Sequence, residues 1–306
     1  QLGEKSQHRL GKNKESGMTF HDFARAHGLI IRDLISHRWV STPTEDHPRK
    51  RNGRYKYLGN VGWVQNWATM ESPTMWKDSA AAPVDYRKVF AESEKKREQD
   101  AKKAADKAAW ILGKVEKKPH AYLAAKGFPE LQANVWTVDG KNLLVLPMRI
   151  GGNLAGVQLI TEDGEKKFLY GQRTQGASLT MDAKGIPIFC EGMATALSVR
   201  QAMRLVKVRY RIECCFSAGN LKTISGRFPD GLIVADNDKS ETGLRCARDT
   251  GKPYWISSAV GDDFNDYHIR EGIRAAADSL YPIVLDAISR ASGAETSPQS
   301  AAPVRA

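Results

Sequence analysis

The chain has 306 residues, with 46 Lys and Arg against 35 Asp and Glu, a formal net charge of +11. This length suits two domains better than one, and 41% apolar with 26% charged residues supports a packed core and excludes disorder throughout. No stretch approaches the ~20 apolar residues of a membrane span, and the opening QLGEKSQHRLGKNKES lacks the apolar centre of a secretory signal.

A basic globular chain meets a polyanion, either nucleic acid or an anionic membrane surface, because its field concentrates negative partners. Four cysteines, Cys190, Cys214, Cys215 and Cys246, form no CxxC pair and point to a reducing compartment, so a cytoplasmic location is expected. Residues 1–17 precede the first patterned segment and are read as a leader or a disordered stretch.

A small N-terminal module is expected over 18–78. MTFHDFARAHGLIIRDLI predicts a helix over 18–35, with Phe20, Phe23, Leu29, Ile30 and Leu34 approximating one apolar face. Ser41 to Trp76 carries short alternating aromatic runs between turn signals at Asn52-Gly53 and Gly59-Asn60, which predicts a small antiparallel β unit. Residues 1–66 hold twelve Lys and Arg against six Asp and Glu, so about half of the net charge lies in the first fifth.

Arg49, Lys50, Arg51, Arg54 and Lys56 stand beside Tyr55, Tyr57, Trp63 and Trp67. Cations that track phosphates, interleaved with rings that stack on unpaired bases, are what single-stranded DNA binding requires. Arg49, Lys50, Arg51, Arg54, Tyr55, Lys56 and Trp63 are therefore the candidate DNA-binding residues. The competing reading is a β core with buried rings and solvated charges. His21, His27, His37 and His47 have no cysteine or HxxxH partner, so no zinc is expected.

Val84 to Lys118 is rich in Ala, Glu, Lys and Arg and predicts a helix to about Leu112, its charges spread as on a solvated linker, assigned to 79–118. A β-rich subdomain follows at 119–184: a short helix stopped at Gly127, then strands at Asn134–Val138, Leu143–Ile150, Leu154–Thr161 and Lys166–Tyr170. The dipeptides Asp139-Gly140, Gly151-Gly152 and Asp163-Gly164 punctuate them as hairpins.

From Ile186 short apolar strands alternate with helical text: IPIFCEG, RIECCFSAG, GLIVADND and PYWISSAV as strands, MATALSVRQAMRL and TGLRCARDT as helices. That alternation predicts an α/β domain over 185–288, a parallel sheet with helices on both faces. FNDYHIREGIRAAADSLYPIVLDAI predicts a closing helix bent at Pro282, and 289–306 a disordered tail.

Ligands gather at the carboxyl ends of parallel strands. Glu191 follows IPIFC, and Asp236 and Asp238 follow GLIVA, so three carboxylates converge on one sheet edge. Clustered carboxylates repel and call for a cation; hard oxygen ligands select Mg²⁺, or Mn²⁺, in a centre suited to phosphoryl transfer.

Glu191-Gly192 and Asp236-Asn237-Asp238, each after a strand, resemble the Toprim domain of bacterial and phage primases, topoisomerases and some nucleases. EGMATALSVRQA is similar to the EGxxTALS segment of the phage and plasmid primases, FSAGNL to the loop after the next strand, and DDFNDYHIREG to the KDxND element. A common acid of the first segment is Ala194 here, and the glycine usual soon after Asp-x-Asp is delayed to Gly243. LLVLPMRIGGNLAGVQLITEDGEKKFLYG is similar to the β-rich subdomain before Toprim in primases.

The resemblance implies that Glu191, Asp236 and Asp238 hold the catalytic metal, with Asp263 and Asp266 as ligands of a further metal or groups around it. It places Lys166, Lys167 and Arg173, with Lys239 beside Asp238, where nucleotide triphosphate or template would bind. The expected activity is that of a DNA primase working in a bacterial host cell: short RNA primers made from ribonucleoside triphosphates on single-stranded DNA. A metal-dependent nuclease and a non-catalytic single-strand-binding replication protein are the alternatives. No GxxxxGK[ST] occurs, so unwinding would fall to a separate helicase.

Overall fold

The computed structural model describes residues 18–79, 86–239 and 241–293. Residues 1–17, read as a leader or disordered stretch, residues 84–85, where the long helix was expected to begin, and residues 294–306 of the expected tail lie outside the described residues. The chain divides into two compact units, the first ending at Gln99 and the second beginning at Asp100.

In the first unit, α1 (Phe20–Ala26) starts at Thr19, whose side chain accepts a hydrogen bond from the Asp22 backbone N–H. The helix expected over 18–35 stops here after two turns. Gly28 takes φ +73°, a left-handed conformation open to glycine. The chain then reverses, Ile30 N–H donating to Pro43 O at 2.9 Å. Leu29 and Leu34 still reach the core, but from a non-helical segment.

The predicted antiparallel unit is present: β1 (Trp39–Thr42), β2 (Gly53–Tyr57), β3 (Val61–Asn66) and β4 (Thr74–Lys77) pair in that order. Successive side chains alternate between faces. The register Val40↔Tyr55↔Val64 and Gly62↔Trp76 puts these residues on one face, packed against Phe20 and Ala24. Trp39, Lys56, Trp63 and Met75, with Arg54 and Gln65, occupy the other.

α2 (Tyr86–Leu112) is the predicted long helix. The expectation of a solvated linker fails for its last turns. Ala108 and Ile111 are fully buried in a cluster with Val145 and Val157 of the following sheet. Ala104, Ala108 and Ile111, buried at helical spacing, make a stripe that the charges around it conceal in the sequence. Ile111→Ala is expected to cost about 2–5 kcal/mol in urea unfolding of the full chain. A solvated connector would stay within ~0.5 kcal/mol.

That sheet is formed by β5 (Glu116–Lys118), β6 (Ala133–Val138), β7 (Lys141–Ile150), β8 (Asn153–Ile160) and β9 (Lys166–Phe168), all antiparallel, with α3 (Ala121–Ala125) after β5. The hairpin dipeptides hold: Asp139-Gly140 and Gly151-Gly152 all have positive φ, as a tight turn matched to strand twist requires.

The α/β part comprises β10 (Leu179–Met181), β11 (Ile186–Cys190), α4 (Met193–Val206), β12 (Tyr210–Cys214), α5 (Ala218–Ser225), β13 (Leu232–Ala235), α6 (Thr242–Asp249), β14 (Tyr254–Ile256), α7 (Phe264–Glu271) and α8 (Ile273–Ala291). The sheet order is β10-β12-β11-β13-β14. β12, β11, β13 and β14 are parallel as expected, and β10 is an antiparallel edge strand that the sequence pattern did not disclose.

Helices cover both faces. α4 and α8 pack with Ile188 and Val234 on one, α5 and α6 with Phe189 and Ile233 on the other. The closing helix is two: the break falls at Gly272, with φ +84°, and Pro282 lies within α8. α8 also takes residues 289–291 from the expected tail.

Candidate active site

The carboxylates arise from two adjacent strands. β11 and β13 run parallel with Cys190 opposite Val234, so Glu191 and Asp236 emerge together at their carboxyl ends. Each strand is apolar and buried along its whole length, which forces the first polar residues to the edge.

Asp236 is half-buried, and its Oδ1 is fully buried with no hydrogen-bond partner. Its carboxyl is pushed up from 3.8 to about 7, by burial first and then by Glu191 and Asp263, against the pull of Lys166. The Glu191 carboxyl is also raised, chiefly by burial, while Lys166 and a hydrogen bond from the Ala218 N–H at the start of α5 draw it down.

Among the described residues, Lys166 is the cation that acts on both Glu191 and Asp236. Its ammonium comes to 4.0 Å from the position a Cβ would take at Gly192. β9 thus delivers one lysine to the acids, and the alternation of the strand turns Lys167 away, where it pairs with Glu165 at 2.9 Å. Arg173 and Lys239 are exposed.

Asp238 faces the start of α6, its Oδ1 accepting from Thr242 N–H at 3.2 Å. Asp263 is the N-cap of α7 and forms a reciprocal capping box with Asp266. Asp266 also meets Lys126 at 3.4 Å. Asp263 and Asp266 of the DFND run therefore have a structural duty, and the negative charge of Asp263 is still felt at Asp236.

Sequence reasoning assigned no role to several positioning groups. Asn237 Nδ2 donates to Ser257 O at 2.9 Å and Ala259 O at 3.2 Å, and its backbone bonds to Asp262 and Gly261. The middle residue of Asp-Asn-Asp thus anchors the loop that carries both acids. Asn265 is fully buried and joins Lys126 O to Ser198 Oγ, each at 2.9 Å. Gly243 lies flat against the Asp236 backbone, where any Cβ would collide with the Asp236 carbonyl oxygen. The asparagines stood inside the quoted motifs, but only the fold shows what they bind.

Among the described residues no group of three or more His, Cys, Asp or Glu side chains stands assembled to hold an ion. The unpaired Asp236 Oδ1 and the crowding by Glu191 nevertheless fit a hard cation, which would discharge the repulsion that raises both carboxyls. Cys190, Cys214 and Cys215 are buried, and burial pushes their thiols up.

In the first unit one candidate is corrected. Tyr55 is 1% exposed, its hydroxyl donating to Asp33 O and accepting from Ile35 N–H, so its ring belongs to the core and cannot stack on a base. Arg49, Lys50 and Arg51 are exposed in the connection between β1 and β2. Arg54, Lys56 and Trp63 are on the outer face of the sheet. Trp39, which the sequence reading passed over, lies there too.

No protein-family profile matches the chain. Over 208 residues it is 27% identical to a protein named DNA primase TraC from Escherichia coli, a match covering 64% of this chain and 14% of that protein. The chain therefore spans a small part of that relative. Among solved structures, it resembles the primase fragment of the bacteriophage T7 primase-helicase protein at 14% identity and a TM-score of 0.40, over 58% of this chain and 78% of that one. T7 primase domains bound to an RNA/DNA hybrid and dTTP, in an assembly with lagging-strand DNA polymerase, match at the same identity and TM-score over 55% of this chain and 92% of that one.

Proposed function

We propose that the second unit is a Toprim centre of a DNA primase, joining ribonucleotides into short primers on single-stranded DNA. The observation that carries the reading is the meeting of Glu191 and Asp236 at neighbouring strand ends, with the Asp236 Oδ1 unpaired and Lys166 reaching across. The sequence similarity to a protein named a primase supports it.

In this reading Glu191, Asp236 and Asp238 hold Mg²⁺ or Mn²⁺, with Asp263, the α7 cap, and Asp266 behind them. The metal supplies charge neutralisation for the triphosphate and a lower pKa for the attacking hydroxyl. The primer 3′-hydroxyl releases its proton to solvent as its oxygen attacks the α-phosphorus, the bond from that phosphorus to the α,β-bridging oxygen breaks, and pyrophosphate leaves. Lys166 meets the triphosphate, freed from the carboxylates whose charge it shares. Lys167, Arg173 and Lys239 extend the basic approach for nucleotide or template. A separate helicase opens the duplex, and the reaction takes place in the cytoplasm of a bacterial host.

The test is incubation of the full chain with single-stranded DNA, labelled ribonucleoside triphosphates and Mg²⁺ or Mn²⁺. Short RNA products should form and fall at least ~100-fold in Glu191→Gln, since electrostatic groups at a transferring phosphoryl contribute on that scale. Template shortening without synthesis would reassign the centre to a nuclease. No chemistry at all under conditions where the folded chain binds DNA would overturn the enzyme reading.

A further inference from the structure

The outer face of the N-terminal sheet is half open. Trp39 is 41% exposed and Met75 46% exposed. The Arg54 guanidinium lies over the Trp39 ring, 4.5 Å from its centroid, and its Nε donates to Gln65 Oε1 at 2.9 Å. At the other side Phe90 of α2 packs on Trp63 with centroids 5.7 Å apart, and Lys56 Nζ is 5.9 Å from the Phe90 ring. The Lys56 ammonium has its pKa lowered, mainly by burial and then by Arg97.

The helix thus covers the Trp63 side and leaves the Trp39 side bare. The open side runs into the basic connection: Trp67, 46% exposed, donates its backbone N–H to Asn52 O at 3.1 Å, directly after Arg49, Lys50 and Arg51. A flat aromatic ring already held by a guanidinium, on a sheet face whose named strand side chains carry no acid and whose Gly53 end leads into a connection where Arg49, Lys50 and Arg51 outnumber Glu45 and Asp46, is complementary to unpaired bases on a phosphate backbone. A protein partner with an apolar patch would instead favour a face free of clustered cations.

We infer that this face, centred on Trp39 and Arg54, is a platform for an unpaired polynucleotide strand, stacking a base on Trp39 while Arg49, Lys50 and Arg51 follow its phosphates. It revises the residue assignment made from the sequence: Tyr55 is inside, Trp63 is partly covered by Phe90, and the unassigned Trp39 is an exposed ring on the sheet face that can stack on a base. The face is in the first unit and the inference deepens the primase reading by naming where the strand is gripped. It can also stand alone, since its test contains neither nucleotide triphosphate nor metal.

Fluorescence anisotropy of labelled dT12 and rU12 with the full chain, over a series of salt concentrations, is the experiment. Trp39→Ala should weaken binding about 5- to 160-fold with little change in salt slope, as loss of one stacked base requires. Arg54→Ala should lower the slope by about 0.7, and the Arg49, Lys50, Arg51 triple alanine variant by about 2. Trp39→Phe, which keeps a ring, should recover most of the affinity, and circular dichroism of each variant shows whether the sheet is intact. Binding by folded Trp39→Ala equal to wild type on both oligomers would overturn the inference. So would equal loss in Trp39→Phe and Trp39→Ala, because the ring would then be packing the fold. Loss on dT12 alone or on both supports it and identifies the strand as DNA or as either polymer. Asp236→Asn should bind both oligomers as wild type does, which separates failure of the platform from failure of the catalytic centre.

Discussion

Asp236→Asn is expected to abolish primer synthesis and, at the same time, to raise the melting temperature of the metal-free protein at pH 8. The sign follows from the raised carboxyl, 3.8 ordinarily and about 7 in the fold. Between those values the folded state keeps a proton that the unfolded chain has released. Stability therefore falls as pH rises through this window and levels off above about 7. About three units at ~1.36 kcal/mol each gives ~4 kcal/mol as the most the charged carboxylate costs. Water on its exposed oxygen reduces that figure. Asparagine keeps the shape and carries no charge, so the variant should gain several degrees at pH 8 and almost nothing at pH 4. Adding Mg²⁺ should raise the melting temperature of the wild type and leave the variant where it was. A variant less stable than wild type at pH 8 in chelator would show that the carboxylate supports the fold, and the site reading would fall.

Gly243→Ala should damage the centre without touching an acid. The added methyl would collide with the Asp236 carbonyl oxygen, which is backbone and cannot rotate away. Overpacking of this kind costs about 1–3 kcal/mol. Here the relief available is a shift of the loop that carries Asp236 and Asp238, and displacement of a reacting group by ~1 Å can cost ~100-fold in rate. We expect primer synthesis to fall by at least tenfold while urea unfolding changes modestly. Gly219→Ala is the control: it lies in α5 with open space around a Cβ and should be neutral or slightly stabilising. Equal activities in the two variants would show that the late position of Gly243, after Asp-Asn-Asp, has no bearing on the geometry.

The legible parts of the chain share one property, that their signal is local. Asp139-Gly140 and Gly151-Gly152 dictate their own turns through positive φ, and the apolar runs before Glu191 and Asp236 dictate where polarity returns. What the sequence concealed depends on partners far away. The helix expected over 18–35 ends at Ala26 because Gly28 turns and Thr44 and Pro43 receive the chain that follows. The charged helix after residue 86 reads as solvated until β7 and β8 supply Val145 and Val157 for Ala108 and Ile111 to meet. Asp263 and Asp266 read as acids of the site, and their backbone partners show that they also start α7.

By itself the sequence determined the parallel α/β domain, the antiparallel runs before it and the strand-end positions of Glu191, Asp236 and Asp238, because apolar periodicity and turn chemistry act within a few residues. Only the tertiary structure decided which neighbours share a face. Arg54 and Tyr55 are adjacent in the chain, yet the pleat sends one to the Trp39 ring and the other into the core against Phe20. Lys166 and Glu191 are distant in the chain, yet the fold brings the β9 lysine up to Gly192. Charge and aromatic content were fixed by composition, whereas access to a base or a phosphate was fixed by burial, which depends on what packs against each side chain.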